Sequence, residues 1–167
     1  VKRTTEGYLA ALEKVLVSSN SLMFIDPHLD PLRRGYEDFY RLLEKCHRPK
    51  APVRVEIHRV CYESSGRERK ILGLSELRRR FEEGIKSKLN GINVLVDVYV
   101  WDDFHDRHLI SDLVGLLLGN GFDVSRRPDE ETTWGRLSRS DRDNMQRKFD
   151  PSRCPSDENR GRITLMS

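Results

Sequence analysis

The sequence predicts a layered α/β domain, a mixed β-sheet flanked by helices. Three observations predict it. Segments with helical apolar spacing alternate with short β-prone runs over the first two thirds of the chain. Val94, Val96, Val98 and Val100 alternate strictly with Leu95, Asp97, Tyr99 and Trp101, which is the period of a strand. Two further apolar runs, over 107–112 and 113–119, follow that strand directly and read as a hairpin.

In chain order, residues 5–18 form an expected amphipathic helix. Tyr8, Leu9, Leu12, Val15 and Leu16 fall on one face, and Ser18, Ser19 and Asn20 end it. Leu22-Met23-Phe24-Ile25 is a continuous apolar run stopped by Asp26-Pro27, which suits a buried parallel strand. Pro31 opens a second helix of about sixteen residues, with Tyr36, Phe39, Tyr40 and Leu43 as its stripe. Val53, Val55 and Ile57 alternate with Arg54, Glu56 and His58, so this strand is expected at an edge or half exposed, with His58 on the surface. The polar stretch 62–73 reads as a mobile loop. Ser75 is an expected N-cap for a third helix, whose Leu77, Phe81, Ile85 and Leu89 face the core before Asn90-Gly91. Residues 123–140 read as loop and 140–149 as a short helix carrying Met145 and Phe149. We therefore expect residues 1–125 to form the domain, 126–150 a peripheral loop and helix, and 151–167 a disordered tail.

The 167 residues suffice for one domain with its own core. Thirty basic residues against 27 acidic leave a net charge of +3, too small an excess to argue for a polyanionic partner without a local patch. No apolar run is long enough to span a bilayer, and the first residues lack the apolar core of a signal peptide. The chain lacks an initiator Met, so it is expected to be part of a larger protein. Cys46, Cys61 and Cys154 match no metal or redox spacing; reduced thiols and a cytoplasmic location are the expectation.

The residues that carry chemistry lie in His105-Asp106-Arg107-His108-Leu109-Ile110-Ser111-Asp112, followed six residues on by Gly119-Asn120-Gly121-Phe122-Asp123. An imidazole, a guanidinium and a carboxylate in one short segment suit a phosphodiester. On a strand, His105 and Arg107 would project to one face and His108 to the other. Arg107 could fork two phosphate oxygens, and Asn120 could offer its amide, with backbone N–H groups laid open by Gly119 and Gly121. His28, after the Asp26-Pro27 turn, is a further candidate for lining the site. Adjacent carboxylates on a strand point apart, so Asp102 and Asp103 with His105 and His108 are not expected to bind a metal.

This pattern resembles the phospholipase D superfamily, whose half-domain carries H-x-K-x-x-x-x-D and, about six residues later, a Gly with Ser or Asn nearby. His105, Arg107, Asp112, Gly119 and Asn120 fall on those positions, and Phe24-Ile25-Asp26-Pro27-His28-Leu29 looks like the family's strand and Asp-Pro turn. The His-Asp-Arg triplet and the Gly-Asn-Gly-Phe-Asp turn are most similar to the phospholipase D-like C-terminal domain of microtubule-interacting-and-transport proteins and to bacterial relatives of that domain. The resemblance implies a phospholipase D-like half-domain and a metal-independent hydrolase without cofactor. This would be a phosphodiesterase, and specifically a nuclease, with His105 as nucleophile, Arg107 and Asn120 as phosphate clamps and Asp112 as the orienting group. The family's mechanism places two motifs around one phosphate, so a single motif implies a homodimer. Catalytic members carry Lys where Arg107 stands, and members with His-Asp-Arg include domains that bind phosphoinositide head groups without hydrolysis. The alternative is therefore a non-catalytic phosphate or head-group binding module that recruits its parent protein. The expected partner is nucleic acid or a phosphorylated head group.

Overall fold

Seven strands join in one mixed sheet in the order β6-β5-β4-β1-β2-β3-β7 in the computed structural model, which describes residues 1–63 and 69–166. The parallel centre is β1 (Ser21–Ile25), β2 (Val53–Val60) and β3 (Val94–Trp101). The strands β4 (His108–Ser111), β5 (Gly115–Leu118) and β6 (Trp134–Arg136) extend it antiparallel on one side. On the other side β7 (Gly161–Met166) pairs antiparallel with β3. The architecture is the predicted layered α/β fold.

Three helices contribute to the core on one side of the sheet. Helix α1 (Thr5–Ser18) begins where the Thr4 hydroxyl accepts from Gly7 N at 3.0 Å, and buries Tyr8, Leu12 and Leu16. Helix α2 (Tyr40–Glu44) buries Leu42 and Leu43, and α3 (Leu74–Gly84) buries Leu77 and Phe81. Helix α3 has Gly73 rather than Ser75 as its N-cap, and makes no side-chain cap bond there. Residues 64–68 of the polar stretch 62–73 fall outside the described residues.

Four expectations are corrected. The helix read from Pro31 occupies only Tyr40–Glu44. Residues 30–39 instead form successive tight turns, with Arg33 N on Asp30 O at 2.9 Å, Tyr36 N on Arg33 O at 2.9 Å and Phe39 N on Tyr36 O at 2.9 Å. Gly35, at φ +101, breaks any helix there. Strand β2 is not an edge strand. It lies between β1 and β3, and His58 is fully buried, because Phe149 and Trp101 pack on its ring at centroid distances of 5.4 and 5.9 Å. The loop 123–140 contains β6. The tail is ordered sheet over Gly161–Met166, with Ile163 and Leu165 turned into the core.

Helix α4 (Arg139–Lys148) begins the segment that crosses the second sheet face from the β6 edge to the β7 edge. It is capped by Ser138, whose hydroxyl accepts from Asp141 N at 3.1 Å, and leads to the buried Phe149. Residues 126–166 thus complete the same sheet, rather than forming a periphery and a free tail. No helix among the described residues is long and apolar enough to cross a membrane.

Candidate functional site

The parallel strands β1, β2 and β3 end on one side of the sheet, and the motif residues are delivered there by register. Ile25 pairs with His108, so Arg107 stands level with Asp26 just beyond the end of β1. Leu118 N donates to Arg107 O at 2.9 Å, which brings Gly119, Asn120 and Gly121 to the same end. Ligand sites in such sheets lie beyond the strand ends.

Asp26 ties this end together. Its side chain is fully buried; Oδ1 accepts from His28 N at 3.0 Å, and Oδ2 from Phe122 N at 2.9 Å and the Tyr36 hydroxyl at 3.1 Å. One carboxylate thereby joins the Asp-Pro turn, the 30–39 turns and the Gly-Asn-Gly loop. Burial pushes its pKa up, opposed by the two backbone donors and the charge of Arg107. Gly121, at φ +71, lets the loop close on it; a Cβ there would stand 2.2 Å from Asp26 Oδ2.

Over this support opens a polar cleft of about 360 Å³, lined by His28, Arg33, Arg34, Tyr36, Arg107, Gly119, Asn120 and Asp123. Arg107 makes only a 3.3 Å bond to the His105 carbonyl, and Arg33 a 3.1 Å bond to the Glu63 carbonyl. Neither these two nor Arg34 pairs with a carboxylate among the described residues, whereas Asp123 is neutralised by Arg3 at 2.9 Å. Beneath the cleft, the fully buried Arg59 donates to the carbonyls of Val60 (2.8 Å), Leu29 (3.1 Å) and Tyr62 (2.9 Å). Burial lowers its pKa to about 10, so it stays charged at neutral pH.

His28 is neutral at physiological pH. Burial first, then the charges of Arg107, Arg33, Arg59 and His105, lower its pKa to about 4. Its Nδ1 is occluded and has no partner among the described residues. An occluded N–H without an acceptor is the worse of the two possibilities, so the proton is assigned to Nε2, which makes His28 a neutral donor.

The sequence-derived site residues divide under this geometry. Arg107, Asn120, Gly119 and His28 line the cleft together. Gly121 lies beneath it as a buried support. The glycine amides do not face a ligand, because Gly119 N donates to Thr133 O at 3.4 Å and Gly121 N to Leu118 O at 3.3 Å. His105 is exposed and precedes β4 in an irregular segment, so strand alternation does not set its face relative to Arg107. It stands near enough to His28 to act on its charge. His108 is buried, and its burial lowers its pKa.

Asp112 is in the wrong place for the role expected of it. It follows β4 at the opposite end of the sheet, about 16 Å of extended chain from Arg107. There its carboxylate accepts from Asn20 N at 3.0 Å and Asn20 Nδ2 at 3.1 Å. It fastens the hairpin to the start of β1 and orients no histidine.

Sequence reading missed Arg33, Arg34 and Tyr36, because a helix over 31–46 would scatter them around its axis. Gly35 after Arg33-Arg34 was the available signal for a turn.

The buried neutral histidines carry a pH dependence. The pKa values of His28, His58 and His108 lie below the ordinary 6.5 through burial. A lowered histidine contributes stability that is present above the unfolded value and lost as pH falls through the folded one. Asp26, raised by burial, works against this with one proton. Denaturant unfolding is therefore expected to show lower stability at pH 5 than at pH 7; equal or greater stability at pH 5 would contradict these assignments.

No protein-family model matches the chain, and no curated protein matches it. Among solved structures it is similar to TrmBL2, an archaeal chromatin protein described as showing a novel mode of DNA binding, at 11% sequence identity and a TM-score of 0.41. The match covers 91% of this chain and 51% of the other, so the chain spans about half the length of that protein. A likeness at this level says nothing of what this chain binds.

Proposed function

We propose that this chain is a phospholipase D-like domain that binds the phosphate of a phosphorylated small molecule or head group without hydrolysing it. The observation that carries the reading is the convergence of Arg33, Arg34 and Arg107, none paired with a carboxylate among the described residues, with Asn120 and a neutral His28 on one cleft. Every one of these side chains can donate to phosphate oxygen. The cleft is supplied by one copy of the chain.

The nuclease reading is less well supported. Asp112 is absent from the cleft and His105 does not line it. With a pKa of about 4, almost none of His28 is in the imidazolium form that could protonate a leaving oxygen at pH 7. Among the described residues no Phe, Tyr or Trp lining the cleft offers an open face for a base, since Tyr36 is buried and its hydroxyl is held by Asp26.

The test is calorimetric titration with glucose 6-phosphate and inositol 1-phosphate, beside a hydrolysis assay on bis-p-nitrophenyl phosphate and single-stranded DNA in EDTA. Binding without turnover is expected, and Arg107→Ala should weaken it by about 10- to 100-fold, the worth of a charge-assisted bidentate contact. Unchanged affinity in that variant would overturn the site. Hydrolysis abolished by His105→Ala would replace this reading with the phosphodiesterase.

A further inference from the structure

Resting on the anion-binding reading above, we infer that the cleft is built for a ligand carrying two phosphate groups, one held by Arg107 with Asn120 and His28, the other by Arg33 and Arg34. The first group of donors comes from the end of β1, the approach to β4 and the Gly-Asn-Gly loop; the second comes from the turns over 30–39. Both groups line the same cleft.

The charge balance argues for two phosphates. Three guanidinium groups line the cleft, and Arg59 adds a fourth beneath it, bonded only to carbonyl oxygens. The nearby acids are already engaged. Asp123 is bound to Arg3, Asp30 to Arg80 at 2.7 Å, and Glu63 to Lys70 at 3.8 Å. Asp26 is the remaining buried carboxylate, so four positive charges less one leave three. A phosphate monoester brings about 1.5 to 2 negative charges at neutral pH and leaves part of that excess unmatched. Two phosphates bring about 3 to 4.

Size agrees. A cleft of about 360 Å³ lies at the small end of ligand sites, large enough for a bisphosphorylated sugar or a diphosphate. Arg33 is held in place by the Glu63 carbonyl rather than by a carboxylate that would quench its charge. The two phosphates could be adjacent, as in a diphosphate, or separated by a sugar, and the experiment tells these apart.

The whole chain is titrated with matched pairs: phosphate and pyrophosphate, AMP and ADP, fructose 6-phosphate and fructose 1,6-bisphosphate. At least one two-phosphate member is expected to bind tenfold or more tightly than its partner. Preference for pyrophosphate and ADP would indicate adjacent phosphates; preference for the sugar bisphosphate would indicate separated ones. Arg33→Ala/Arg34→Ala should erase the advantage, so that each two-phosphate member binds no more tightly than its monophosphate partner, and a circular dichroism spectrum shows that the variant is folded. Monophosphates binding as well as their two-phosphate partners would overturn this inference and leave the anion site standing. Survival of the advantage in the double variant would overturn it in the same way. No binding of any member would overturn both.

Discussion

Gly121→Ala is expected to destabilise the protein by about 3–5 kcal/mol and to abolish phosphate binding. Two costs add at this position. The backbone is at φ +71, where an L side chain is strained, and the new Cβ would stand 2.2 Å from Asp26 Oδ2 and 3.2 Å from Arg107 Cδ. Asp26 cannot swing aside without abandoning Phe122 N, Tyr36 and His28 N. The Gly-Asn-Gly loop must therefore lift, and Arg107 and Asn120 move with the lining. Gly91 supplies the control: its φ is +77 and nothing lies within 4 Å of where a Cβ would stand, so Gly91→Ala carries the backbone cost alone, about 1–2 kcal/mol. Urea unfolding of both variants decides the matter. If Gly121→Ala costs no more than Gly91→Ala, the close approach to Asp26 is not what the glycine is for.

Asp26→Ala should cost a similar amount, about 3–5 kcal/mol, for a different reason. It leaves three donors, His28 N, Phe122 N and the Tyr36 hydroxyl, without their acceptor in a buried place. Asp26→Asn is not a full rescue. Its NH2 group must face either Phe122 N and the Tyr36 hydroxyl or His28 N, and so sets a donor against a donor in both orientations. The two sites are coupled. With the carboxylate gone, Gly121→Ala loses its clash and should cost only what Gly91→Ala costs. The double variant is therefore expected to be more stable than the sum of the single effects allows, and strict additivity in the cycle would show that the two residues do not meet as described.

Much of the local structure was legible in the chain. The Val94–Trp101 alternation, the Leu22–Ile25 run, the apolar stripe of α1 and the hairpin that follows Arg107 are all where periodicity puts them. So was half of the candidate site. Arg107, Asn120, Gly119 and His28 were picked out by residue type and spacing, and the structure brings them to one cleft. Arg33 and Arg34 were hidden by a helical stripe that Gly35 interrupts.

The sequence by itself determined the layered α/β class, the period of most elements and most of the side chains that cluster at the candidate site, because these depend on neighbours a few residues apart. Three matters were decided only by tertiary structure. Asp112 lies at the far end of the sheet from Arg107, because β4 runs antiparallel to β1 and carries the two residues to opposite ends. His58 is buried, because Phe149, brought across the sheet after α4, covers a face that alternation alone marks as polar. Residues 161–166 are a strand, because β3 offers an open edge on which Ile163 and Leu165 can be buried. In each case pairing partners distant along the chain set the outcome, and no local pattern encodes which end of a sheet, or which covered face, a residue will meet.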